Sequence, residues 1–153
     1  MTDFLTALLQ LAMSFLGSLG FALLYNVKGL KLLAAGFGGV VAWLTVLLLQ
    51  PVCPTEIARL FIAAMVVLFY DEIFAFVLKT PTTTYLVPSI VPLTPGAHLY
   101  YCMSSALQGD QSGFIHEASQ TIILALAIAG GIIIAGAVVN IEKAIVAKIK
   151  KKA

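Results

Sequence analysis

The chain has 153 residues, of which 61% are hydrophobic and 10% charged, with a mean hydropathy of +1.04 and a formal charge of +2. That composition excludes a soluble globular domain and identifies an integral membrane protein. No basic run points to nucleic acid, so the placement of the charges matters more than their sum.

A hydrocarbon core of about 30 Å needs roughly 20 apolar residues in a helix. That length picks out five segments in chain order: Phe4 to Leu24, Leu32 to Gln50, Ala58 to Leu78, Tyr85 to Leu107 and Ala118 to Val139. Short connectors carrying Pro51, Pro54, Pro81, Gly29, Gly109 and Gly113 separate them. The first segment has no Lys or Arg before it and no convincing small-residue cleavage site, so it is expected to be a retained span rather than a leader. The expected fold is all-α, a polytopic membrane helix bundle forming a single integral membrane domain over 1–153.

Basic residues set the expected orientation. Lys28, Lys31, Lys79 and the cluster Lys143, Lys148, Lys150, Lys151 and Lys152 fall on one side, and only Arg59 lies near the other. The positive-inside rule then puts the N-terminus outside and the C-terminus in the cytoplasm, which requires an odd number of spans. The basic tail over 140–153 is expected to anchor on anionic lipid.

Small residues at four-residue spacing mark packing faces: Ala127, Gly131 and Ala135 in the fifth segment, Ala35 and Gly39 in the second, and Ser14, Gly17 and Gly20 in the first. Trp43 lies mid-segment and is expected to be a buried packing residue. Cys53 and Cys102 allow one intrachain disulfide, or serve as a loop residue and a small packed residue. His98 and His116 have no metal-ligand spacing to any Cys or carboxylate, so no metal or other cofactor is expected.

The third segment breaks its apolar run with Tyr70-Asp71-Glu72. Two central acids cost roughly 5 to 7 kcal/mol on an insertion scale, about what fifteen apolar residues supply. The carboxylates must therefore face protein or water, or be protonated, and an intramembrane acid is a functional candidate by default. Successive residues differ by about 100° around a helix, so both cannot face one site equally. The stripe Ala64, Asp71, Ala75 favours Asp71 on a packing face, while Glu72 has the longer reach toward a cavity. If buried, Glu72 would be able to exchange a proton near physiological pH.

The fourth segment contains Val87-Pro88-Ser89-Ile90-Val91-Pro92-Leu93-Thr94-Pro95-Gly96, which cannot continue as a regular helix. Irregular backbone at membrane depth is tolerated only when buried in protein or lining a cavity. A broken helix frees carbonyls and amides at its half-ends, which suit ammonium and carboxylate groups. Pro88, Pro92, Pro95 and Gly96 are expected to form the break, Ser89 and Thr94 to touch substrate, and Tyr100 to continue a polar face outward. Measured from the segment midpoints, Asp71, Glu72 and Pro92 share a level. Glu72 is the expected proton carrier, with Asp71 and His98 as further candidates; the bland alternatives are a structural kink, a hydrogen-bonded carboxylate and a helix-contact histidine. No hydrolase, metalloprotease or phosphate-loop motif is present, so an enzyme is not expected.

Together, Glu72-x-x-Ala75, Lys79-Thr80-Pro81 and the run from Val87 through Ala97 to Tyr100 resemble the threonine/serine exporter (ThrE) family, specifically its small YjjB-like subunit. Gly20-Phe21-Ala22 through Asn26-Val27 resembles that family's first hydrophilic turn. The resemblance implies a secondary exporter of threonine and serine, or of a small carboxylate such as succinate, coupled to the proton gradient in a prokaryotic plasma membrane. It also implies a larger membrane subunit of the same family as partner, with a homo-oligomer as the other assembly. The rival from another class is a non-transporting scaffold or regulatory subunit.

Overall fold

The computed structural model describes residues 2–150. It is built from six helices: α1 (Thr2–Leu24), α2 (Leu30–Leu49), α3 (Glu56–Val77), α4 (Thr83–Ser89), α5 (Gly96–Gln108) and α6 (Gln111–Lys150), with a 3-10 turn at Val91–Leu93 between α4 and α5. No strand occurs among the described residues. Four helices, Phe4–Leu24, Leu30–Leu49, Glu56–Val77 and Gln111–Ile145, are long and apolar enough to cross a membrane.

Three helix ends are closed in the same way. Asn26, Lys79 and Gly109 adopt positive φ. Just after each, an amide reaches back five residues: Val27 to the Ala22 carbonyl, Thr80 to Ala75 and Asp110 to Ser105. These are left-handed caps that satisfy the last carbonyls of α1, α3 and α5 and turn the chain sharply. Asp110 then opens α6 by accepting from the Gly113 amide (3.1 Å) and the Ser112 hydroxyl (2.7 Å), bonds that hold its carboxyl below the usual range.

The long helices form a row in the order α1, α2, α3, α6. Gly39 lets α2 approach α1 closely against Ser18 and the Ser14 carbonyl, and Gly131 lets α6 approach the Phe61 carbonyl of α3. Both belong to the expected small-residue faces. Gly17 and Gly20, expected to pack, instead look into open space. α3 and α6 run parallel: Gly131 lies against Phe61 and Ala64, Ala135 clusters with Leu68, and Lys143 reaches Glu72.

α4 and the 3-10 turn lie across the row, against α2, α3 and α1. Tyr85 is fully buried with Ala22, Val27, Ala34, Ala35 and Ala75. Leu93 reaches the cluster of Ala42, Leu60, Ala63, Ala64 and Val67. The stretch 85–107, expected as one span, is thus divided: 83–93 packs inside the bundle, while α5 packs against α6 and has no buried residue.

α6 also departs from expectation. It has 40 residues, about 60 Å at the helical rise, and continues past Val139 through the stretch expected as a basic tail. Leu124 and Ile128 are level with Leu60 and Ala63 near the start of α3. The stretch 111–123, about 20 Å long, therefore projects with α5 beyond the bundle. Lys143 meets Glu72, so this tail residue has a protein partner; Lys151 and Lys152 lie outside the described residues. Cys53 and Cys102 are both free.

Candidate functional site

Proline spacing builds the site. Pro88 and Pro92 cannot donate to the carbonyls of Thr84 and Pro88 four residues earlier, so α4 ends at Ser89 and the chain tightens into the turn Val91–Leu93. The Leu93 and Thr94 amides bond the Ile90 and Val91 carbonyls, and the Thr94 side chain also donates to Val91 (2.6 Å). Pro95 then caps α5.

At this break Ser89 is fully buried, and its hydroxyl donates to Oδ1 of Asp71 at 3.0 Å. The Ala35 carbonyl of α2 lies 3.5 Å from the same hydroxyl. Asp71 is itself fully buried, its Oδ2 has no hydrogen-bond partner, and no ion pair reaches it among the described residues. Gly38 makes the contact sterically feasible. A Cβ there would collide with the Ser89 side chain and lie 3.3 Å from Asp71 Oδ1. Next to Asp71, the Tyr70 hydroxyl donates to the Ala34 carbonyl (3.0 Å), fixing α3 against α2.

Glu72 occupies a different face. Its Oε2 accepts from Thr82 at the entrance to α4 (2.6 Å), and its Oε1 accepts from Lys143 of α6. A carboxylate with a hydroxyl and an ammonium partner is a tie between elements, whereas Asp71 is a buried acid with one neutral partner.

The other expected site residues divide in two. Pro88 is buried beside Ser89, and Pro92 lines a cavity one turn on. Thr94, Gly96 and Tyr100 are exposed at the far end of the break, with Tyr100 stacked edge-on to Tyr101. His98 Nδ1 lies 2.7 Å from Oε2 of Glu117, joining α5 to α6, and does not meet Asp71. Among the described residues no three His, Cys, Asp or Glu side chains converge to hold a metal.

Two features of the site escaped sequence reasoning. Gly38 was masked by its neighbours Gly36 and Gly39 in a small-residue run. The pairing of Gln10 with Trp43, whose indole donates to the amide oxygen at 3.1 Å, joins residues 33 positions apart; a glutamine inside an apolar run was the available signal. Trp43 is half-buried and lines a cavity.

The family model described as "Threonine/Serine exporter, ThrE" matches residues 10–138. No curated protein and no solved structure matches the chain. The chain belongs to the threonine/serine exporter (ThrE) family, a family of transporters, and is a multi-pass membrane protein.

Proposed function

We propose that this chain is one subunit of a proton-coupled secondary exporter of threonine and serine, and that Asp71 carries the coupling proton. The observation that carries the reading is the contact between Asp71 and Ser89, a buried acid facing the one segment whose helix is interrupted. An ionised carboxylate without a cation is costly in a low-dielectric interior, and such a group meets the cost by binding a proton. Among the described residues the only hydrogen-bond partner of its carboxyl belongs to the broken segment, so a change of protonation acts directly on that segment.

In this reading the N-terminus lies outside and the C-terminus in the cytoplasm, because Lys28, Lys31 and Lys79 cluster at one end of the row. Residues 83–93 cross most of the bundle as α4 and the 3-10 turn. A larger subunit of the same family supplies the second wall. The basic end of α6 rests against anionic lipid, and a small carboxylate such as succinate is the alternative substrate.

The test is efflux of labelled threonine, serine and succinate from cells expressing the chain with and without the larger subunit. Asp71→Asn is expected to lower export by about tenfold or more and to remove its dependence on external pH, while the protein still accumulates in the membrane. Export at the normal rate with normal pH dependence would remove the proton role.

The rival reading, a scaffold subunit without transport, draws on α5, which packs on α6 and buries no residue. Replacing Pro92 and Pro95 by Ala separates the two: a scaffold tolerates the straighter segment and a transporter loses flux.

A further inference from the structure

Two cavities lie against opposite ends of the break, both on its α1 side. One, of about 300 Å³, is lined by Tyr25, Val27, Thr83, Thr84, Val87 and Pro88. The other, of about 350 Å³, is lined by Gln10, Ser14 and Gly17 of α1, Trp43 of α2, and Val91 and Pro92. On the broken segment they are separated by Ser89 and Ile90, less than one helical turn. On α1 they are separated by the stretch holding Ser18 and Ala22, both fully buried. The partition is thin on the broken segment and about 12 Å long on α1, where Ser18, packed against Gly39 of α2, has no hydrogen-bond partner for its Oγ among the described residues.

The chemistry of the two cavities differs. An indole N–H only donates, so Trp43 engages the oxygen of the Gln10 amide and leaves its NH₂ group as a donor beside the larger cavity. The smaller cavity offers the Thr83 and Thr84 hydroxyls. Pro88 supplies no amide to the Thr84 carbonyl four residues earlier, so that carbonyl borders the smaller cavity without its regular helical partner. Donors suit a carboxylate; hydroxyls, with a carbonyl that lacks its helical partner, suit an ammonium and a side-chain hydroxyl.

We infer that these cavities are the two vestibules of one substrate path, running along the seam between α1 and the α4 break and closed at Ser18, Ala22 and Ser89. Its cargo is a small zwitterion. The inference rests on the transport reading above and assigns that reading a route and a set of contacts. Gly17 is where the route can be probed, since a side chain added there meets nothing within 4 Å.

The experiment uses the full chain in cell membranes, with Cys53 and Cys102 replaced by Ser and single cysteines introduced as Gly17→Cys, Thr84→Cys and, as a control, Leu16→Cys. Leu16 neighbours Gly17, is exposed, and lines neither cavity. A membrane-impermeant methanethiosulfonate is applied to intact cells and to inside-out vesicles. Gly17→Cys and Thr84→Cys are each expected to react from one face only, opposite to one another. Both should react roughly tenfold or more faster than Leu16→Cys, because a thiol in water ionises and one in hydrocarbon does not. Excess threonine should slow both reactions, and Gly17→Trp should block export where Leu16→Trp does not.

If Gly17→Cys reacts no faster than Leu16→Cys, or if both vestibule cysteines react from the same face, the path is overturned. Opposite-face labelling that threonine, serine and succinate all fail to slow would support the path and overturn the zwitterion as its cargo. Loss of export in Asp71→Asn is scored separately, so the route and the proton role fail independently.

Discussion

α3 meets α2, α4 and α6, and its seams with α6 and with α4 are built on opposite rules. Toward α6 both helices are continuous, and Gly131 brings the α6 backbone against the Phe61 carbonyl. The contact is apolar through Ala64, Leu68 and Ala135. Toward α4 the partner is interrupted by prolines, and a buried acid meets a buried hydroxyl, with cavities on the far, α1 side of the broken segment. Both seams depend on glycine. At Gly131 the missing side chain admits backbone, and at Gly38 it admits a polar pair. The first arrangement suits a fixed frame, the second a part whose contacts can change.

The comparison breaks most visibly at Gly131. A leucine there would have to displace backbone rather than a flexible side chain, and overpacking of this kind costs typically about 1–3 kcal/mol or more. Gly131→Leu is expected to lose the folded protein from the membrane fraction, measured by abundance and by thermal unfolding in detergent. Normal abundance would mean that the α3–α6 seam is not a fixed frame.

Gly38→Ala should separate function from folding. The added methyl displaces the Ser89 hydroxyl from Asp71, and leaving a buried polar group without its hydrogen bond costs roughly 1–3 kcal/mol. Export should fall about 10- to 100-fold with membrane abundance little changed. Equal losses of export and abundance would make the α4 seam structural as well.

The smallest effect is expected at Lys143→Ala. Its ion pair with Glu72 is partly solvated, with Lys143 61% and Glu72 21% exposed, and such pairs contribute about 0–1 kcal/mol. Export should stay close to normal. A loss as large as that of Asp71→Asn would move the proton role to Glu72, the acid that sequence reasoning favours.

Much of the frame can be read from residue order. Apolar length gives α1, α2 and α3 to within a few residues, and four-residue spacing marks Gly39 and Gly131 as close contacts. The angular argument about the two acids carries part of the site: Ala64, Asp71 and Ala75 do share a buried stripe. What is hidden is which element an apolar run packs against. Leu99, Tyr100, Met103 and Leu107 look as hydrophobic as a buried span, yet they are exposed on a helix outside the row. The length of α6 is hidden for another reason. Hydropathy falls after Val139, but Glu142, Lys143 and Ala144 are good helix formers, so the helix outlasts the apolar signal.

Chain order gives the acids of α3 a history. Asp71 finds its partner 18 residues later and Glu72 finds its ammonium 71 residues later. During synthesis α3 therefore emerges before Lys143 has been made, carrying two carboxyl groups near one end of an otherwise apolar segment. The acid that matters most to the fold, Asp71, is matched by the nearer partner, Ser89, while the later partner, Lys143, ties a group that is partly solvated. The order of the chain thus hands the buried acid its hydroxyl early and the solvated acid its ammonium last.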